Sequence, residues 1–362
     1  MNQNPLFQLG EHGQSVWLDS IQRRHIQSGE LKQMIETMAL RGETSNPSIF
    51  EKAIVGSSDY DAEIQTLAAE GFDTLAIYEK LATDDVRAAC DVFDALYGES
   101  SGTDGFVSIE VSPRLAYDTL GTIQEAKRLW ATVDRPNLMI KIPGTNAGVP
   151  AIEEAIYLGM NINVTLLFSV KAYAEVAWAY IRGLERRAAE GMPVNRIASV
   201  ASFFVSRIDT LADKLLGPDN AALHGKLAIA NAQIAYEKFN AIFSGERWMA
   251  LHALGARVQR PLWASTSTKN PAYRDVIYVE TLIGPHTVNT MPMETVKAFA
   301  DHGVVARTVD ANFAAAHDII AQIQAAGVSL NAVTNQVLDE GVTKFDEAFT
   351  QLLAGIDKKT RA

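Results

Sequence analysis

The chain has 362 residues, of which 48% are hydrophobic and 21% charged, and it carries a formal net charge of −11. That length suits one large α/β domain or two ordinary ones. An acidic chain with no basic cluster excludes nucleic-acid binding as the main role, although a small phosphorylated ligand needs only two or three well-placed cations.

The N-terminal "MNQNPLFQLGEHGQ" is polar and lacks the apolar core of a secretory leader, and no apolar run is long enough to span a bilayer. Cys90 is the single cysteine. A disulfide framework and a thiolate metal site are thereby excluded, and a reduced, cytoplasmic setting is expected. The histidines stand at 12, 25, 224, 252, 286, 302 and 317, and none forms an HxH or HxxxH pair. No metal is expected.

In chain order, the strand candidates are "SVWLDSI" (15–21), "RGETSN" (41–46), "FVSIEV" (106–111) and "LMIKIP" (138–143). They continue with "NINVTLLF" (161–168), "IASVASFFVS" (197–206), "RPLWAST" (260–266) and "TVNTMP" (287–292), eight in all. The stretches between them carry helical periodicity. Thr83 reads as a helix cap, with Asp84 and Asp85 in the first turn. "TIQE" (122–125) reads as a capping box. From Ser169 to Arg187 the apolar residues share one face, and Gly191 closes the segment. Three helical segments are expected from Asp310, in a well-capped "DANFAAAHDIIAQIQAAG", to the C-terminus.

Eight strands alternating with helices predict a single (β/α)8 TIM barrel over residues 1–362. Additional helices are expected at 58–98 and as a C-terminal extension, about 294–362, packed on the barrel. A doubly wound sheet would place a Gly-rich phosphate turn after its first strand, and "WLDSI" has none.

In such a barrel the active site lies at the C-terminal strand ends. Those ends carry Asp19, Asn46, Glu110, Lys141, Asn163 with Thr165, Ser202 with Arg207, and Ser267 with Lys269. Singly, most have a plain structural reading. Asp19 reads as a cap for the next helix, Asn46-Pro47-Ser48 as a turn, and Glu110 as solvent-facing or a partner of Arg114. Asn163 and Thr165 read as hydrogen-bonding barrel filler, Arg207 with Asp209 as a helix-start ion pair, and Lys269 as a solvated loop residue. Lys141 is harder to dismiss. An unpaired ammonium in an apolar strand is costly, and desolvation makes such an amine give up its proton and act as a nucleophile. Schiff-base chemistry is the expectation.

Lys141 in "LMIKIPGT", Asn46 in "TSNPS", Glu110 in "VSIEV", "NINVTLLFS" and "ASFFVSRID" together resemble the transaldolases, across roughly residues 10 to 300 and in family order. The resemblance implies a (β/α)8 barrel with the Schiff-base lysine on strand four. It also implies transfer of a dihydroxyacetone unit, from sedoheptulose 7-phosphate to glyceraldehyde 3-phosphate, giving erythrose 4-phosphate and fructose 6-phosphate, with no cofactor. Lys141 would form the imine, Asp19 would move the C4 hydroxyl proton, and Glu110 with Thr165 would hold a water. Asn46 and Asn163 would bind the dihydroxyacetone hydroxyls. Ser202, Arg207, Ser267 and Lys269 would form the phosphate site, and Phe204 would be among the substrate-binding residues. Sugar phosphates are the implied partners, and a homodimer is compatible with the resemblance.

Two departures stand out. Several transaldolases carry arginine at the place of Lys269, and others have proline and glycine where this chain has Phe203 and Ser206. The related fructose 6-phosphate aldolases are shorter, with glutamine at the place of Glu110 and tyrosine at that of Phe204. A sugar-phosphate-binding barrel without catalysis is the third alternative.

Overall fold

The structure is a computed structural model that describes residues 4–361. Eight parallel strands close into a barrel in sequential order. They are β1 (Gln14–Leu18), β2 (Leu40–Glu43), β3 (Phe106–Glu110), β4 (Leu138–Pro143), β5 (Ile162–Leu167), β6 (Ser199–Phe204), β7 (Arg260–Ala264) and β8 (Thr287–Met291). All eight coincide with the runs expected from sequence, and most are shorter. The tails lost from the expected strands carry polar residues, such as Asp19, Thr44 to Asn46 and Thr266. There the backbone leaves the ladder to form the loops of the C-terminal face. The last links are Asp19 N–H to the Met291 carbonyl (2.9 Å) and Thr44 N–H to the Leu18 carbonyl (2.8 Å).

The strands are buried on both faces because helices cover the outside, which explains their nearly continuous apolar character. The helix Val170–Ala189 matches its expectation. The Ser169 hydroxyl accepts from Ala172 N–H, and Gly191 sits at φ +71° just past the end, where a residue with a Cβ is disfavoured.

Two helix-start readings and one helix count are corrected. Thr83 is not a cap. It lies inside the 26-residue helix Thr74–Glu99 and returns its hydroxyl to the Glu79 carbonyl, while Asp73 caps the true start. "TIQE" is not a capping box. Asp118 caps the helix Thr119–Val133, Thr122 donates to the Leu115 carbonyl, and Glu125 accepts from Ser112 N–H, tying the helix to the loop after β3. At the C-terminal end two helices are present, not three: Phe313–Ala325 and Leu330–Thr360. Asn312 caps the first, which is well capped as expected, and Asp310 pairs with Arg307.

The long helix Leu330–Thr360 turns Val333, Val337, Gly341, Phe345 and Phe349 inward, a row spaced by four that forms one stripe. Gly341 does not break it. A Cβ there would stand 3.1 Å from Leu166 Cδ2, so glycine lets the helix lie close against the end of β5.

Gly42 in β2 fixes a second close approach: a Cβ would fall 2.6 Å from the Trp17 indole and 2.8 Å from the Phe106 carbonyl oxygen. Trp17 is fully buried, so it has no free space to yield. Gly42→Ala is expected to lower stability by about 1–3 kcal/mol through overpacking. Gly10→Ala, in a helix with no neighbour near the added methyl, should not lower it. The urea-unfolding midpoints of the two variants check this.

Candidate active site

The barrel's register brings three expected residues side by side. Lys141 on β4 pairs with Glu110 on β3 and with Asn163 on β5. Lys141 Nζ lies 3.1 Å from Glu110 Oε2 and donates to the Ser45 carbonyl at 3.1 Å. The side chains are 5% and 3% exposed, so this pair is shielded from solvent. Two sequence readings change here. Lys141 is buried as expected but is not unpaired, and Glu110 pairs with it, whereas Arg114 meets Asp346.

Asp19 follows β1 and does not cap a helix. It accepts a hydrogen bond from the Thr44 hydroxyl (2.8 Å), which is also 2.7 Å from the Thr290 hydroxyl. Burial raises the Asp19 carboxyl above its usual value, against the opposing pull of Lys141, Thr44, Lys52 and Arg207. Burial likewise raises Glu110, with Lys141 opposing and Asp19 adding to the rise. A carboxyl so placed holds a proton more readily than one in water, which suits proton transfer. Thr165 Oγ1 and Glu110 Oε1 are buried near the lysine level without a hydrogen-bond partner.

Asp19, Lys141, Thr165, Ser202, Phe204 and Arg207 line one cavity of about 310 Å³, together with Asn46, Ser267 and Lys269. Ten of the eleven expected residues therefore converge on this cavity and the lysine pair beside it, Glu110 included. Asn163 is the exception. It is fully buried within the barrel, donating to the Ser108 hydroxyl (3.0 Å) and accepting from the Ser202 hydroxyl (2.7 Å). Through Ser202 it is hydrogen-bonded to the cavity lining. Asn46 does double duty, since its side chain also caps the turn Pro47–Phe50 by accepting from Ile49 N–H (3.0 Å).

The rim is cationic. Arg207 makes no ion pair with Asp209, which instead accepts from Ala228 N–H and the Tyr278 hydroxyl. Its Nη1 is buried and unpartnered, and the guanidinium lies 5.5 Å from the Phe204 ring centre. Burial pulls the guanidinium below the usual arginine value, while Asp19 and Glu340 hold it up. Lys269 is exposed and donates to the Ser267 hydroxyl at 2.7 Å.

Sequence reasoning missed four members of this site. Thr44 orients Asp19, Ser45 offers its carbonyl to Lys141, and Lys52 lines the cavity. Thr44 and Ser45 stood in a recognised strand-end run, so their positions were the available signal. Phe345, from the C-terminal helix, places its ring centre 5.6 Å from Lys141 Nζ, more than two hundred residues along the chain, and nothing local announced it.

A larger cavity, about 1060 Å³, opens at the opposite end of the barrel around Arg41, Arg257 and Arg260. It contains none of the lysine–carboxylate chemistry, so chemistry and not size assigns the site.

Comparison with known proteins agrees with this geometry. A family model described as transaldolase/fructose-6-phosphate aldolase matches residues 16–356. A protein of Nostoc sp. named transaldolase 2 is 48% identical over 99% of this chain and 98% of its own length. A transaldolase of Trichodesmium erythraeum is 48% identical, also over 99% of this chain and 98% of its own length. Transaldolase 1 of Streptomyces coelicolor is 49% identical over 98% of this chain and 94% of its own length. A chain with this barrel, this strand-four lysine and these relatives belongs to the transaldolase/fructose-6-phosphate aldolase family.

Proposed function

We propose that the protein is a transaldolase, carrying a dihydroxyacetone unit between sugar phosphates through an imine on Lys141. The observation that carries the reading is the buried Lys141–Glu110 pair at 3.1 Å, with Asp19 facing the same cavity as Lys141. We also read residues 1–362 as one domain, with 294–362 as its C-terminal helices, and the single buried Cys90 as fitting a reduced cytoplasm.

The amine adds to the donor's C2 carbonyl, and loss of water gives an iminium, an electron sink. Glu110 passes the amine's proton and, with the Thr165 hydroxyl, holds the water that leaves and later returns. Asp19 then takes the C4 hydroxyl proton. The C3–C4 bond breaks, its electron pair flows toward the iminium, and the shortened aldose phosphate departs. The bound enamine attacks the acceptor aldehyde, Asp19 returns the proton, and hydrolysis frees the new ketose phosphate. Arg207 meets the phosphate with a planar fork, and Lys269 adds a mobile point charge. Asn46 contacts the hydroxyls of the three-carbon unit, and Asn163 holds Ser202 and Ser108 in place from below.

A fructose 6-phosphate aldolase is the second reading. Glu110 and Phe204 speak against it, since those aldolases resemble this chain but carry glutamine and tyrosine there. Sedoheptulose 7-phosphate formed from fructose 6-phosphate and erythrose 4-phosphate, with little turnover of fructose 6-phosphate alone, decides for the transferase. Steady turnover without acceptor decides for the aldolase.

Lys141→Met should abolish transfer in a folded protein, because methionine fills similar volume without the amine. Borohydride with fructose 6-phosphate should fix a stable adduct on the Lys141 peptide of the native protein, mapped by mass spectrometry. An adduct on a different lysine contradicts the mechanism.

Asp19→Asn should lower transfer by about 10²–10⁴-fold, the usual range for losing a positioned acid–base group, while still allowing borohydride trapping. Glu110→Gln should instead slow trapping itself. Equal loss of trapping in both variants would refute the division of labour.

At the rim, Arg207→Ala should raise the Michaelis constant for fructose 6-phosphate about ten- to a hundredfold, the range for a buried charged hydrogen bond. Lys269 is exposed, so Lys269→Ala should raise it only about two- to fivefold. Steady-state kinetics at fixed ionic strength separates the two.

A further inference from the structure

We propose that Phe345 guards the three-carbon intermediate from solvent protons, and so helps decide whether the protein transfers dihydroxyacetone or releases it. The proposal rests on the imine mechanism above and adds to it a specificity role for a residue of the C-terminal helix.

The geometry begins with the inward stripe of Leu330–Thr360. Gly341 brings the helix against Leu166 and within reach of Arg207, whose Nη1 would stand 3.6 Å from a Cβ at that position. One turn later Phe345 is buried, 4% exposed, and lines the same cavity as Lys141, Asp19 and Arg207. Its ring centre lies 5.6 Å from Lys141 Nζ, inside the range over which an aromatic face attracts a cation. Phe349, another turn on, is pinned edge-on to Tyr78, with ring centres 5.4 Å apart, which steadies this part of the helix.

The chemistry makes that place consequential. After C3–C4 cleavage the three-carbon unit is a neutral enamine, and its nucleophilic carbon is two bonds from Nζ. Productive transfer joins this carbon to the acceptor aldehyde. In the wasteful route a proton from water adds there instead: the enamine pair forms a C–H bond and the iminium returns. Water then adds at C2, the C2–N bond breaks with its electron pair going to Nζ, and free dihydroxyacetone leaves. The water that Glu110 manages serves imine exchange at C2. An apolar ring over the lysine keeps further water from the carbon, which is the side reaction a closed site suppresses. The same face stabilises the iminium by its quadrupole.

The test compares two rates in native protein, Phe345→Ala and Phe345→Leu. Transfer is measured as sedoheptulose 7-phosphate from fructose 6-phosphate and erythrose 4-phosphate. Release is measured as dihydroxyacetone from fructose 6-phosphate alone, with the glyceraldehyde 3-phosphate removed by coupled oxidation. Phe345→Ala is expected to raise the release-to-transfer ratio about tenfold or more, equivalent to about 1.4 kcal/mol between the two barriers. In heavy water its dihydroxyacetone should carry one deuterium from the leak. Phe345→Leu, apolar but without a π face, should stay within about threefold of native. If Phe345→Ala does not fold, Phe345→Gln, polar and of similar length, takes its place against Leu. A ratio unchanged in the Ala or Gln variant, with both rates falling together, would overturn the guard role, as would a Leu variant that leaks as much. If the native protein itself makes no sedoheptulose 7-phosphate, the transaldolase reading fails, independently of Phe345.

Discussion

The C-terminal face centres on one ion pair whose side chains are only 5% and 3% exposed. A lysine and a glutamate moved into a barrel interior lose hydration worth several kcal/mol each, and their attraction offsets this only with good geometry and further hydrogen bonds. Here the register supplies the geometry, because Glu110 and Lys141 are paired positions on adjacent parallel strands. The Ser45 carbonyl, delivered by the end of β2, supplies the additional bond to Nζ. A second acid, Asp19, adds to the upward pressure on Glu110, so the two carboxyls are not independent. The three groups form a set between which protons can be passed, as the proposed imine cycle needs at each step.

The backbone around this set is also unusual. Leu166 and Ser265 adopt left-handed φ values of +58° and +56°, although neither is glycine. Each stands at the C-terminal end of a barrel strand, and the pairing of β5 with β6 shifts between Val164 and Leu167. Such conformations cost on the order of 1–3 kcal/mol each and persist only where the surroundings enforce them. The surroundings are visible. Ser265 is held by hydrogen bonds to Ser206 from both its carbonyl and its hydroxyl, while Leu166 lies under Gly341. The strain therefore sits where β5 stops being a strand and starts being the wall of the site.

How much of this the sequence disclosed depends on the range of the interaction. The strands were legible because both their faces are buried and the pattern is local. Lys141 was legible because charge within an apolar run is expensive and so conspicuous, whereas the roles of Asp19 and Glu110 came from the resemblance. The partner of Lys141 was not, since pairing across strands depends on register, which residues 110 and 141 do not encode by themselves. Helix starts misled for a similar reason. Thr83 followed by two aspartates looks like a cap, yet the helix had already begun at Thr74, and Asp85 turns inward to accept from Arg23 and Tyr60. "TIQE" had the right letters, but its glutamate answers a loop thirteen residues earlier, a tertiary demand that overrides the local motif. The resemblance to transaldolases carried site assignments that residue types alone left open, Arg207 and Ser202 among them.

Phe345 shows the limit most clearly, and it bears on how the site is assembled. A phenylalanine within a long amphipathic helix looks like ordinary core, and its meaning arises only when that helix crosses the barrel mouth. What holds the crossing lies at several points along the chain. Lys359 pairs with Asp61 and reaches the Ser57 carbonyl beyond β2, while Phe349 meets Tyr78 edge-on and lies beneath Arg114. The exposed Arg114–Asp346 contact at 3.4 Å contributes little by comparison. Ser57, Asp61 and Tyr78 fall in the stretch between β2 and β3, and Arg114 just after β3. The last helix of the chain is thus tied to segments that follow β2 and β3. The helix that brings Phe345 to Lys141 is therefore held by the stretches of chain that lead away from β2 and β3.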